Sequence, residues 1–143
     1  MAIVDAHDDP KAGADLGTYR SQFALPACTT ANGCFRKVNQ SGGTKYPRAN
    51  GGWAQEISLD LDMVSAACPN CHILLVEASS SSLTNLGTAV NEAAKLGATE
   101  ISNSYGGNES SSDTSYYHHP GIAITVSSGD GGYGGEYRRP RST

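Results

Sequence analysis

The sequence has no long apolar run and no excess of basic residues. No stretch approaches the roughly 20 apolar residues of a membrane-spanning helix, so we expect no membrane partner. The formal net charge is -4, and residues 1–137 carry 14 acidic against 7 basic side chains, because the three other arginines follow them. A nucleic-acid surface needs clustered lysine and arginine, so we expect no nucleic-acid partner either.

Two familiar catalytic motifs are also missing. No G-x-S-x-G nucleophile elbow occurs, and the four histidines form no H-E-x-x-H zinc pattern. The start of the chain has neither a basic n-region nor a small-residue cleavage site, and Met1 leads directly into a strand-like run. We therefore expect no signal peptide in this chain.

The four cysteines form two local pairs, Cys28 with Cys34 and Cys68 with Cys71. The first pair encloses an Asn-Gly turn signal, and short clips of this kind are typical of disulfides in an oxidising compartment. A C-x5-C plus C-x2-C set could instead hold one zinc ion, and free thiols are a third alternative. The spacing favours two disulfides.

Short apolar runs alternate with helical patterns along the chain. The pattern predicts strands over 2–6, 35–39, 72–78, 100–104 and 122–127, and helices over 9–23, 53–67 and 83–96. This βαβα order implies an α/β fold, with a parallel sheet covered by helices on both faces. In such sheets ligands bind beyond the carboxyl ends of the strands.

Glu56 and Asp60 stand four residues apart on a predicted helix, so both carboxylates project from one face, while Ile57 and Leu61 bury the other. Two like charges at this spacing repel, which raises the pKa of one of them and makes the pair titrate jointly. Such a pair can act as a base and the group that orients it. The alternative is a solvated acidic stripe that also includes Asp62.

Asp130 follows Ser127-Ser128-Gly129 directly after the last predicted strand, where parallel sheets often present catalytic side chains. A Ser-Gly-Asp-Gly-Gly stretch is also a common turn. Asp5 ends the first strand and occupies the position of a triad aspartate, but the chain has no matching helix-start histidine. Asp130 is therefore a candidate that needs support from elsewhere in the sequence.

Five segments carry a family resemblance: IVDAHDDP at 3–10, GWAQEISLD at 52–60, ILLVEA at 73–78, SNSYG at 102–106 and SSGD at 127–130. The combination of E-x-x-L-D with a downstream S-G-D is more specific than either motif alone. On these segments, from about residue 2 to residue 135, the chain resembles the sedolisin family. These serine-carboxyl peptidases share the subtilisin fold and replace its histidine with a glutamate.

The resemblance implies a role for each of the three acidic candidates. Glu56 is the general base that takes the proton of a nucleophilic serine, Asp60 orients it, and Asp130 is the oxyanion acid. A carboxyl group that donates a hydrogen bond to an oxyanion must be neutral, so such enzymes act in acid. The resemblance also implies a peptide or protein substrate, a secreted parent protein and both disulfides.

The family's nucleophile lies in a G-T-S motif downstream of the S-G-D loop, and no G-T-S occurs in this sequence. The family's calcium site near its C-terminus and its N-terminal propeptide are not found either. We therefore expect residues 1–137 to be a partial sedolisin-like catalytic domain that holds no cofactor of its own. Residues 138–143 are expected to be an Arg-rich tail outside the fold.

Two other functions compete with a peptidase. The surplus of carboxylates could hold a hard cation such as calcium, which would activate water against a small ester or lactone. Alternatively, the chain is a non-catalytic unit that self-associates, because a parallel sheet that stops after its fifth strand leaves an unpaired edge.

Overall fold

A computed structural model describes residues 1–106, 113–130 and 132 of the chain. Its elements are β1 Ala2–Ala6, α1 Ala12–Gln22, β2 Phe35–Asn39, α2 Gly51–Ala67, β3 Ile73–Ala78, α3 Leu83–Lys95, β4 Glu100–Asn103, α4 Asp113–Tyr117 and β5 Ala123–Val126. The expectation for residues 138–143 lies outside the described residues.

The strands form one parallel sheet in the order β2-β3-β1-β4-β5. The central strand β1 is buried along its whole length, as its run of apolar residues requires. One core cluster joins α1 and α2 to one face of the sheet through Ile3 and Leu75, and a second joins α3 to the other face through Val4 and Val76. The predicted α/β fold with helices on both faces is confirmed.

Two helices begin at different residues from those predicted, and a local side-chain hydrogen bond explains each difference. Asp9 accepts the Lys11 backbone N–H through Oδ1 at 2.9 Å, so the chain makes a turn there and α1 starts only at Ala12. The Asn50 side chain accepts the backbone N–H groups of Gly52 and Trp53, so α2 starts at Gly51. The remaining predicted boundaries agree within one residue.

Close packing holds α3 against α4. Gly87 lies on the buried side of α3, and a β-carbon added there would approach the Tyr116 ring to 2.2 Å. Only glycine allows this approach, which places α4 on the same side of the sheet as α3.

Both cysteine pairs form disulfides, Cys28 with Cys34 and Cys68 with Cys71, as the spacing predicts. No cysteine is therefore left for a zinc site. Disulfides are compatible with an oxidising compartment. None of the helices in the described part of the chain is long and apolar enough to span a membrane.

A buried arginine connects the two disulfide regions. The guanidinium of Arg20 donates to the Pro26 carbonyl at 2.5 Å, to the Pro69 carbonyl at 2.6 Å and to Ser65 Oγ at 3.1 Å. Arg20 is 1% exposed, and its removal would leave the buried Ser65 hydroxyl and two part-buried carbonyls without this donor. Arg20 thus fixes α1 to the end of α2.

We predict that Arg20→Met lowers the free energy of unfolding by about 3 kcal/mol, because the buried Ser65 hydroxyl and two part-buried carbonyls lose their donors. Denaturant unfolding with both disulfides intact measures the loss. Arg36→Met is the matched control: Arg36 is exposed on β2, and its loss should change the value by no more than about 0.5 kcal/mol. Equal losses in the two variants would contradict the role of Arg20.

Candidate functional site

A row of charged side chains crosses the sheet beneath α1 and α2, near the carboxyl ends of the strands. Asp5 of β1 and Glu77 of β3 are direct partners in the strand register, so their side chains lie on the same face. Lys37 on β2 lies next to Glu77, with 3.1 Å between its Nζ and Glu77 Oε1. Asp5 and Glu77 are each 0% exposed, which makes this a buried row of charge.

Glu56 and Asp60 project from α2 toward the end of β4, while Ile57 and Leu61 beside them are fully buried in the core. Ser104, one residue after β4, donates through Oγ to Asp60 Oδ1 at 2.8 Å. Burial raises the pKa of Asp60 to about 6; the Ser104 hydrogen bond lowers this pKa and the charge of Glu56 raises it. The expected rise in the pKa of one member of the pair therefore occurs at Asp60.

Asp62 does not extend this pair into a solvated acidic stripe. Burial and the charge of Asp15 on α1 raise the pKa of Asp62, so Asp62 belongs to the contact between α1 and α2. Asp60 points the other way, toward Ser104. The two aspartates therefore serve different surfaces of the same helix.

Asp5 completes the carboxyl cluster. Burial raises its pKa well above the usual range, and the charges of Asp60, Glu56 and Glu77 raise it further. The Asp5 oxygens and Asp60 Oδ2 are buried and receive no hydrogen bond from an N–H or O–H group in the described part of the chain. A proton that Asp5 donates to Asp60 satisfies both groups. Glu56, Asp60 and Asp5 thus form a connected series from the surface to the sheet.

A cleft of ≈ 420 Å³ opens in front of this series. Its described lining consists of Asn50, Gly52, Trp53, Glu56, Ser104 and Tyr105. Glu56 is the acidic group on its wall. The centre of the Trp53 ring lies 6.4 Å from the centre of the His7 ring. The cleft therefore offers one carboxylate beside the aromatic side chains of Trp53 and Tyr105, with the carboxyl groups of Asp60 and Asp5 behind that carboxylate.

The structure does not bring Asp130 into contact with this cluster. Asp130 lies in an exposed bend after β5, and no hydrogen bond or ion pair between it and Glu56 or Asp60 is present among the described residues. It does share the carboxyl edge of the sheet with them, since β5 runs parallel to its neighbour β4. The assignment of Asp130 as an oxyanion acid therefore stays a prediction.

Sequence reasoning did not assign roles to Glu77, Lys37 or Ser104, and it considered Asp5 only as a triad aspartate without a matching histidine. Asp5 and Glu77 each interrupt an otherwise apolar strand, and this is the one signal that could have marked them, because a buried carboxyl needs a partner or a proton. The partner of Asp60 and the pairing of Lys37 depend on contacts that are distant in sequence.

No protein-family model matches the chain, and no curated protein sequence matches it. Within 1–106, 113–130 and 132, no group of three or more His, Cys, Asp or Glu side chains is arranged to hold a metal ion.

We predict that the fold is more stable in acid than in weak base. The pKa values of Asp5, Asp60 and Glu77 are all raised in the folded state, that of Asp60 to about 6 and that of Glu77 to about 8. The folded state then binds more protons than the unfolded chain between about pH 4 and about pH 8, so stability falls as the pH rises through this range.

Denaturant unfolding at about pH 4.5 and about pH 8.5 should show a free energy of unfolding that is lower by at least about 3 kcal/mol at the higher pH. Glu77→Gln removes one of the three groups and should reduce this loss of stability with pH. Glu100→Gln, at an exposed position, should leave the loss unchanged. A stability that rises with pH over this range would show that the cluster is not protonated in the fold.

Proposed function

We propose that this chain carries the general base and its orienting acid of a serine-carboxyl endopeptidase that acts in acid. The observation that carries the proposal is the placement of Glu56: it lines an open cleft while Asp60, one helical turn away, is half-buried behind it and hydrogen-bonded to Ser104. A base needs access to the substrate, and its orienter needs a fixed position.

The raised pKa values of Asp60 and Asp5 suit a reaction that takes place in acid. With a pKa of about 6, Asp60 is mainly protonated in weak acid, and Asp5 behind it is protonated as well. A neutral Asp60 adds no negative charge beside Glu56, and its proton can hold the Glu56 carboxylate in one orientation. Glu56 would then accept the proton of an attacking hydroxyl and return it to the leaving amine.

The nucleophile of this mechanism is proposed to lie outside the 143 residues. A surface that suits it exists beside α2. Ile124 and Val126 pack toward α3, so Ala123 and Thr125 face the α2 side of the sheet, where both are exposed. This bare sheet face borders the wall that holds Asp60 and Ser104. A segment that carries the serine and is seated there would reach Glu56, with Asp130 at the same edge of the sheet to serve as the oxyanion acid.

We also propose that the parent protein is secreted and that peptides or unfolded proteins are its substrates. The two disulfides and the apolar side of the cleft, formed by Trp53 and Tyr105, support these assignments. A bulky aromatic lining suits the side chains of a peptide better than it suits a small polar substrate.

A second candidate is self-association through β5. Among the described residues β5 pairs with β4 alone, so its other edge presents free backbone donors and acceptors. The bare face at Ala123 and Thr125 adds surface next to that edge. Open edges of this kind pair with other chains unless charge or coverage prevents it.

The peptidase proposal is tested on the chain extended by the coding sequence that follows residue 143. We expect hydrolysis of a denatured protein substrate between about pH 3 and about pH 6, reduced at least about 100-fold by Glu56→Gln and by Asp60→Asn. Glu100→Gln is the control, since Glu100 is exposed at the opposite end of β4.

Two results would overturn this proposal. One is an extended product that lacks activity in acid or is indifferent to Glu56→Gln. The other is turnover by the 143-residue chain alone that Glu56→Gln abolishes, because the nucleophile would then lie within the chain.

For self-association we expect light scattering at micromolar concentration to give a mass above the 14.9 kDa of a single chain. Thr125→Lys places a charge on the exposed face beside the β5 edge and should restore the monomer. Thr84→Lys, exposed on α3, should not. A monomeric wild-type chain would show that the β5 edge does not pair.

A further inference from the structure

The segment that leaves β1 is held in a conformation that needs external support. His7 has a φ of 63°, in the left-handed region that non-glycine residues rarely adopt. Such a conformation persists only when the surrounding contacts determine it. The His7 backbone N–H donates to the Ala78 carbonyl at 2.8 Å, which fixes one side of the turn.

Lys37 and Glu77 supply the other contacts. Glu77 Oε1 accepts the Asp9 backbone N–H at 3.0 Å, and Lys37 Nζ donates to the Asp9 carbonyl at 2.6 Å and to the Asp8 carboxylate. The two side chains also form an ion pair with each other, and the Lys37 ammonium lies 4.3 Å from the centre of the Tyr46 ring. Residues 8 and 9 are thus bound by a lysine and a glutamate from two different strands.

The same segment is attached to the start of α2. The Asp8 backbone N–H donates to the Arg48 carbonyl at 3.3 Å, and the Asn50 N–H donates to the Asp8 carbonyl at 3.4 Å. Asn50 caps α2, and the His7 ring packs near Trp53 in the first turn of that helix. A displacement of residues 7–9 would therefore move the wall of the cleft on which Glu56 lies.

We propose that Lys37 and Glu77 are positioning residues of the candidate site: together they clasp residues 7–9 against the start of α2 and so set the placement of Trp53 and Glu56 in the cleft. The catalytic meaning of this clasp rests on the proposed function. Its physical claim, that the clasp controls the surroundings of Trp53, does not.

The clasp should respond to pH through Glu77. Lys37 faces Glu77 from β2, Asp5 faces it from β1, Asp8 and Asp9 face it from the segment after β1, and Asp60 and Glu56 of α2 act on it through Asp5. Burial raises the pKa of Glu77 to about 8, while the Asp9 N–H and Lys37 lower this pKa. Glu77 Oε2 is buried and has no hydrogen-bond partner among the described residues. Ionisation of Glu77 should therefore strengthen its bonds to Lys37 and to the Asp9 N–H and draw water to Oε2, which displaces residues 7–9.

Trp53 is the single tryptophan of the chain, so its fluorescence reports directly on the clasp. In the wild type we expect the emission to shift to longer wavelength in one transition centred at about pH 8, as Glu77 ionises. Glu77→Gln should abolish this transition, because glutamine keeps the acceptor for the Asp9 N–H but cannot ionise. Lys37→Met should move the transition to higher pH, since it removes the cation that favours the charged carboxylate.

Two control variants isolate the effect. Lys95→Met removes an exposed lysine whose partner, Glu92, lies on the other face of the sheet, and it should leave the transition in place. His7→Asn removes the imidazole beside Trp53 but retains a residue that tolerates a left-handed backbone, so the transition should persist there too. Loss of the transition in His7→Asn would assign it to the imidazole and overturn the proposal.

Amide NMR of the wild type supplies a test that needs no variant. The Asp9 amide proton should move downfield as Glu77 gains charge, over the same pH range as the Trp53 transition, because its hydrogen-bond acceptor becomes an anion. An Asp9 amide that does not titrate, or a transition that survives in Glu77→Gln, would overturn the clasp. Both readouts are independent of hydrolysis, so a chain with an intact clasp and an inactive extended product would contradict the proposed function alone.

Discussion

Burial of carboxyl groups at the centre of a parallel sheet is the constraint on which the rest of this structure depends. Asp5 and Glu77 lie on adjacent central strands and have lost contact with water. One cation, Lys37, reaches this row from β2, so charge balance among the described residues requires protons. Asp5 shares its proton with Asp60, and Glu77 is held by Lys37 and a backbone N–H. The row is costly to form at neutral pH and becomes less costly in acid.

Helix α2 connects this row to the remainder of the molecule. At its first turn, Asn50 caps the helix and Trp53 and Glu56 enter the cleft. Along its middle, Ile57 and Leu61 fix it to the sheet. The carboxyl series therefore rests on a rigid element, which is what a base and its orienter require in order to keep their geometry.

Much of the fold could be predicted from the sequence because it depends on local patterns. The apolar runs of the strands, Gly97 after α3 and the short cysteine loops are visible in the sequence, and so is the shared face of Glu56 and Asp60. The contacts that define the chemistry could not be predicted this way. Ser104 meets Asp60 across 44 residues, and Lys37 meets Asp8 across 29. Such pairs depend on the order of the strands in the sheet, and the local hydrophobic pattern of the sequence does not reveal that order.

The hydrogen bonds of Arg20, and not the disulfides, join distant parts of the chain. The disulfides join residues only 6 and 3 apart, so neither connects distant parts of the chain. Arg20 does: its partners Ser65 and Pro69 lie 45 and 49 residues away. The long-range assembly of α1 with α2 is therefore noncovalent and needs no sulfur chemistry.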